Sequence, residues 1–79
     1  MSLEFKKNQV AFKDSISVED AETLLEWLQK KANAKVDLSA CTHLHAANLQ
    51  VLMAARPNIS AWPEDSGFTR WLKSALGQL

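Results

Sequence analysis

The sequence predicts an α/β fold: a single mixed four-stranded sheet with three helices, in the order β-β-α-β-α-β-α. Two observations lead to this prediction. Apolar residues recur at helical spacing in three segments, and the short runs around them have the apolar patterns of strands. Strands that are separated by helices need crossover connections, so we expect part of the sheet to be parallel, with the helices packed against it.

The composition is that of one small globular domain spanning residues 1–79. Hydrophobic residues make up 47% of the chain and charged residues 23%, which is a folded rather than a disordered composition. Nine basic residues balance nine acidic ones, so the chain lacks the dense positive charge that nucleic-acid binding usually needs. We therefore expect no nucleic-acid partner.

The amino-terminal segment is predicted to form a β-hairpin. Apolar residues alternate with others in residues 3–6 and again in residues 10–13. Asn8 lies between these runs and favours a tight turn.

Residues 18–31 are predicted to form the first helix. Ser17 and Asp20 have the spacing of a capping box, and apolar residues follow at helical intervals. Acidic residues cluster in the first turn, whereas Lys30 and Lys31 close the last one. Both placements favour the helix dipole.

The middle of the chain, residues 36–52 (VDLSACTHLHAANLQVL), is its most informative part. It predicts a short buried strand over residues 34–38, a tight loop and a second helix over about 46–56. Leu49, Leu52 and Met53 supply the apolar side of that helix. Pro57 ends it, because proline disfavours helical geometry in the residue before it.

Residues 58–62 are predicted to form the fourth strand, and Pro63 with the two acidic residues that follow it begins the last helix. The spacing of the apolar residues predicts an amphipathic helix with Trp71 in the core. Trp27 and Trp62 are expected at the edge of the core. The apolar positions of the last helix are Phe68, Trp71, Leu72, Ala75, Leu76 and Leu79.

The middle segment resembles the central motif of STAS domains, the sulfate-transporter and anti-sigma-factor-antagonist family. In that family a strand carries D-L-S, and a D-S-S-G loop then opens a helix. Residues 37–39 match the strand element. The chain is shorter than a typical member, so it resembles a minimal STAS-like domain. The four loop positions are occupied by His45, Ala46, Ala47 and Asn48.

The resemblance implies a non-catalytic module that binds a regulatory protein in bacterial-type signalling. Its partner would be a kinase, an anti-sigma-like protein or a transporter component. Phosphorylation-regulated members carry the acceptor serine where this chain has Ala46, which has no hydroxyl, so we expect no serine switch there. The partner surface that the resemblance implies comprises Asp14, Ser15, His43, His45, Ala46, Ala47 and Asn48, all expected at an exposed corner.

The start of the second helix has two further interpretations. Its unpaired N–H groups are able to receive an anion or a partner carboxylate. Alternatively, His45 and Asn48 satisfy local backbone groups.

A metal-binding module is an alternative function. Cys41, His43 and His45 form the pattern C-x-H-x-H, and in an extended segment their side chains share one face. All three residue types bind zinc or copper. However, a structural site needs a fourth ligand, the chain has no other Cys or His, and the resemblance makes Cys41 a core residue. We therefore expect no metal and no other cofactor.

Three expectations complete the sequence-based account. The chain is not expected to be an enzyme, because no oxyanion-hole loop or substrate cleft is recognisable. A structural homodimer, formed through an edge strand or a tryptophan patch, is a second alternative to partner binding, and we expect a monomer or a weak homodimer. The single cysteine fits a reducing compartment, and no segment is long enough to cross a bilayer, so we expect a cytoplasmic protein without membrane insertion.

Overall fold

The structure, a computed structural model, describes residues 2–31 and 33–77. Its elements follow the predicted order and confirm the predicted fold class. They are β1 (Leu3–Phe5), β2 (Gln9–Ile16), α1 (Glu19–Lys30), β3 (Lys35–Leu44), α2 (Ala46–Ala55), β4 (Asn58–Ala61) and α3 (Ser66–Ala75).

The sheet has the strand order β1-β2-β3-β4. β1 and β2 are antiparallel, and a tight turn joins them, in which the Lys6 N–H donates to the Gln9 carbonyl at 2.7 Å. The other two strand pairs are parallel, and α1 and α2 are their crossover helices. Since both crossovers step in the same direction and such connections are right-handed, α1 and α2 lie on one face of the sheet, where they pack against each other.

The core lies between the sheet and the helices. Phe12 from β2 and Leu38 from β3 are fully buried. Each helix contributes one fully buried leucine to the same core: Leu24 from α1, Leu52 from α2 and Leu72 from α3. Every helix is therefore anchored in the core, and α1 and α3 are anchored through the apolar side of an amphipathic helix.

The third strand is longer than the sequence predicts. It continues to Leu44, so the expectation that a loop follows residues 37–39 is wrong. Two register shifts relative to β2 interrupt it, one between Asp37 and Ala40 and one between Cys41 and His43. Each shift adds one residue to β3 in the manner of a β-bulge. The buried positions of β3 are therefore spaced two, three and three residues apart, at Val36, Leu38, Cys41 and Leu44.

The two crossover helices begin and end close to the predicted residues. At the start of α1, the Asp20 carboxylate accepts from the Ser17 N–H at 3.1 Å and from its hydroxyl at 3.3 Å. Only half of the capping box therefore forms, because the Ser17 hydroxyl donates instead of accepting from the helix. Beyond the end of α2, Arg56 adopts a φ of 50° directly before Pro57, which agrees with the predicted role of the proline.

One tryptophan differs from its prediction. Trp71 is 50% exposed, so the expectation that it lies in the core is wrong; Leu72 takes the inward position of α3. The Trp71 ring stacks on Phe68 with a centroid distance of 6.2 Å. Met53, expected on the apolar side of α2, is also exposed. Trp27 and Trp62 pack at the edge of the core as predicted, while Leu79 lies outside the described residues.

No helix in residues 2–31 and 33–77 combines the length and the apolar character that a bilayer-spanning segment needs.

Candidate functional site: the corner at the ends of β2 and β3

The carboxyl ends of β2 and β3 lie side by side. Ser15 pairs with His43 and Ile16 with Leu44 in the parallel register. The His45 N–H, one residue beyond β3, donates to the Ile16 carbonyl at 3.0 Å. The proximity that the family resemblance implies between these two segments is therefore present in the structure.

Most of the sequence-predicted site residues lie on the surface here. Asp14, Ser15, His43, His45 and Ala46 are exposed and Ala47 is partly buried. We call this set of six residues the corner surface. It combines two strand ends with the first turn of α2.

Asp14 has an unusual backbone conformation within the corner surface. Its φ of 56° lies in the left-handed region, which aspartate tolerates better than most residues. It directly precedes the register shift between Asp14 and Ser15. That shift adds its extra residue to β3, and bulges commonly bend the paired strands near their ends.

The amino terminus of α2 is capped by His45. Its Nδ1 atom accepts from the Ala47 N–H at 3.0 Å, and its carbonyl accepts from the N–H groups of Asn48 at 2.9 Å and Leu49 at 3.2 Å. A helix begins with four N–H groups that lack helical partners. Three of them are bonded here: the His45 N–H to the Ile16 carbonyl, the Ala47 N–H to His45 Nδ1 and the Asn48 N–H to the His45 carbonyl, whereas the Leu49 N–H makes the first bond of the helix itself. These bonds fit the interpretation in which His45 satisfies local backbone groups, while the binding of an anion or a partner carboxylate at this helix start stays a prediction.

Asn48 lies inside the protein. It was expected at the exposed corner, but its side chain is fully buried. Its Nδ2 donates to the Ser17 carbonyl at 2.6 Å, across 31 residues of sequence. This bond ties the first turn of α2 to the β2–α1 connection. Asn48 thus supports the corner surface from below and does not form part of it.

The Asn48 amide oxygen is the one weak point of this support. Among the described residues, Oδ1 has no hydrogen-bond partner although it is buried. An unsatisfied buried acceptor costs free energy, so the bond from Nδ2 to Ser17 offsets only part of the cost of burying this amide.

The three candidate metal ligands do not form a cluster. The bulge between Cys41 and His43 places Cys41 in the core and His43 on the surface, so the expectation that the side chains share one face is wrong. Burial raises the pKa of the Cys41 thiol, which donates to the His43 carbonyl at 3.4 Å. Within residues 2–31 and 33–77 no three His, Cys, Asp or Glu side chains are grouped to hold a metal ion.

One contributor to the corner was not recognised in the sequence. The Ser17 carbonyl accepts from Asn48, and no local pattern signals a bond between residues so far apart. The capping role of His45 agrees with the interpretation that His45 satisfies local backbone groups; it stands directly before the predicted helix start, where side-chain acceptors are favoured.

Comparison with protein-family models, with curated proteins and with solved structures finds no match for this chain.

Proposed function

We propose that this chain is a non-catalytic interaction module that binds a regulatory protein through the corner surface. One observation carries the proposal: exposed side chains from two parallel strand ends and a helix start converge at one place. Ser15 lies opposite His43, and His45 joins both to the capped start of α2.

The construction of the corner favours binding of a protein rather than a small molecule. His45 and Asn48 fix the backbone through bonds to Ala47 and Ser17, so little conformational entropy is lost when a partner binds. The small side chains of Ala46 and Ala47 allow a partner to approach the first turn of α2 closely. Asp14 and His43 provide polar groups at the margin.

The resemblance to STAS domains supports the same surface. By that resemblance the partner is a kinase, an anti-sigma-like regulator or a transporter component, met in the cytoplasm in bacterial-type regulation. Ala46 stands at the family's acceptor position and has no hydroxyl. We infer that partner binding here is not switched by serine phosphorylation at that residue.

A charge substitution within α2 tests the proposal. Ala46 and Ala54 are both exposed and lie near opposite ends of the helix, about 12 Å apart along its axis. Ala46→Glu places a carboxylate in the corner surface, where the helix dipole tolerates it. Ala54→Glu makes the same change two turns away and serves as the matched control.

The measurement is quantitative affinity capture from cells that encode the protein, with thermal unfolding as the check on folding. We expect proteins retained by the parent and by Ala54→Glu to be lost, by about tenfold or more, from a folded Ala46→Glu variant. Equal retention by all three proteins would show that the corner surface is not the binding surface.

A further inference from the structure

The third strand has a partner on one side over its whole length and on the other side over only part of it. β2 pairs with β3 from Lys35 to Leu44. β4 pairs with β3 only from Lys35 to Asp37. Among the described residues, no strand lies against the remaining part of this side, residues 38–44. We call this side of residues 38–44 the open edge.

Strand edges present unpaired N–H and C=O groups that another strand is able to bond. Near the amino-terminal end of the open edge, the Ser39 N–H is not free to bond a partner, because it donates to the Asp37 carboxylate at 2.9 Å. The Ser39 hydroxyl donates to the same carboxylate at 2.7 Å. The part that remains for a partner therefore begins at about Ala40. Ala40 and Thr42, the next residues along this edge that alternate with the buried Cys41, are both exposed.

A groove runs beside this part of β3. β3 contributes residues 39–42 to it, and the segment that leads into α3 contributes Glu64, Asp65 and Phe68. Within the described part of the chain, Glu64 and Asp65 are the only charged residues that line the groove. Its wall is therefore acidic.

The acidic wall is held in place by bonds at the start of α3. The Asp65 carboxylate accepts from the Phe68 N–H at 2.8 Å, and the Thr69 hydroxyl donates to the Pro63 carbonyl at 2.7 Å. Phe68, which lines the groove, stacks on the half-exposed Trp71 of the same helix. The stacked aromatic pair lies next to two carboxylates, of which that of Asp65 is held by its bond to Phe68, and the two groups provide both an apolar contact and a charge contact.

We propose that the open edge binds an extended peptide segment of a partner protein, which adds to β3 as a short strand. The segment carries a basic side chain for Glu64 and Asp65 and, two residues away on the same face, an apolar side chain for Phe68 and Trp71. Main-chain hydrogen bonds to residues 40–43 supply the affinity, and the two side chains supply the specificity.

Synthetic peptides test this mode of binding. The probe is the acetylated and amidated pentapeptide TRTVT, followed through the backbone amide signals of the protein in NMR titrations. We expect the signals of residues 39–43 and of residues 64–68 to shift. Replacing the arginine of the peptide by glutamate is expected to weaken binding about threefold or more, because the ion pairs are exposed.

N-methylation of the peptide distinguishes strand addition from side-chain contact alone. One version carries N-methyl groups on its first, third and fifth residues, and another on its second and fourth. A strand offers alternate N–H groups to one edge, so only one version should lose affinity, by about tenfold or more. Equal binding of both versions would overturn the proposal.

A pair of charge reversals in the protein provides the matched control. Glu64 lines the groove, whereas Glu4 lies exposed on β1, the strand at the opposite edge of the sheet. Glu64→Lys is expected to weaken the binding of TRTVT and to improve the binding of the glutamate peptide, because it reverses a charge of the groove. The change in affinity should be about threefold or more, since exposed ion pairs have modest energies. Glu4→Lys is expected to change neither.

The remaining outcomes separate this proposal from the function proposed for the corner surface. Ala46→Glu should leave TRTVT binding unchanged, whichever way its own capture experiment ends. Peptide shifts confined to residues 43–47 would overturn the open edge as the binding site. A second outcome would also overturn the proposal. If the amide signals of residues 39–43 shift with protein concentration when no peptide is present, a second copy of the chain occupies the edge.

Discussion

The two sides of β3 differ in how completely they are covered. Towards β2 the strand is paired from Lys35 to Leu44, and His45 extends the contact by bonding to Ile16. Towards β4 the pairing ends at Asp37, and the neighbouring helix α3 exposes half of Trp71. The same strand thus belongs to a closed half of the molecule and to an open half.

This difference shows how a small domain separates support from recognition. The closed half holds the fully buried residues of β2 and β3 and positions the corner surface through Asn48 and His45. The open half exposes backbone, carboxylates and an aromatic pair. We expect substitutions of the buried residues of the closed half to change stability, and substitutions of exposed residues, in the corner surface and in the open half, to change binding.

The largest expected difference in stability is between two phenylalanine-to-alanine substitutions, one in each half. Phe12 is fully buried in β2, whereas Phe68 on α3 is only partly buried. Phe12→Ala should lower the free energy of unfolding by about 3–5 kcal/mol, the usual range for a buried phenylalanine. Phe68→Ala should lower it by less than about 2 kcal/mol, since less apolar surface is lost. Urea unfolding measures both, and equal losses would show that the halves do not differ in packing.

A pair of asparagines gives the next effect. Asn48→Ala removes the bond from Nδ2 to the Ser17 carbonyl and should cost about 1–3 kcal/mol. Asn58 on β4 is exposed, and Asn58→Ala should change stability by less than about 0.5 kcal/mol. Both values come from the same urea unfolding experiment. A neutral Asn48→Ala would mean that the bond to Ser17 does no more than offset the cost of burying the unpaired Oδ1.

Removal of the α2 cap is expected to have a smaller effect. His45→Ala deletes the acceptor of the Ala47 N–H, and losing such a cap costs about 1 kcal/mol. His45→Asn keeps a capping acceptor and should restore most of the loss. If thermal unfolding ranks the two variants the other way, the His45 side chain does not cap the helix.

The smallest expected effect is on the pKa of Asp37, the last residue of β3 that pairs with β4. The Ser39 hydroxyl and then the Ser39 N–H, with further help from Lys13 and Lys6, hold the pKa of the Asp37 carboxyl below its usual range. A lowered pKa in the folded state contributes stability above the unfolded-state pKa, and this contribution is lost as the pH falls through the folded-state pKa.

Ser39→Ala removes the largest cause and should raise the pKa of Asp37 in an NMR titration of its carboxyl carbon. Thr42→Ala alters a neighbouring exposed hydroxyl of β3 and should leave that pKa unchanged. A Ser39→Ala titration that matches the parent would contradict the hydrogen bonds described at this position.

Much of the fold could be predicted because its signals are local. The helical spacing of Leu24 and Leu28 and of Phe68 and Leu72 identified α1 and α3, and the run before Pro57 identified α2. The order of elements and the class of sheet followed from these segments, since crossover rules leave few arrangements.

The errors have physical causes in tertiary structure. The second half of β3 buries Leu38, Cys41 and Leu44 three residues apart, a spacing that bulges produce and that matches neither strand nor helix periodicity. Asn48 is buried because it bonds to Ser17, which the sequence near Asn48 does not reveal. Trp71 lies next to Leu72 on α3, and helical spacing did not decide which of the two faces inward.

The central claim is that β3 is paired with β2 over its whole length but with β4 only as far as Asp37. Native-state hydrogen exchange along β3 tests this claim most directly. For the protein without added peptide, we predict slow exchange for the amides of residues 35–37 and of those later residues that bond to β2. Among residues 40–44, beyond the Ser39 N–H that bonds to Asp37, the amides on the open edge should exchange as fast as those of exposed loops. Uniformly slow exchange from Lys35 to Leu44 in the monomer would contradict the account, because the edge would then be covered.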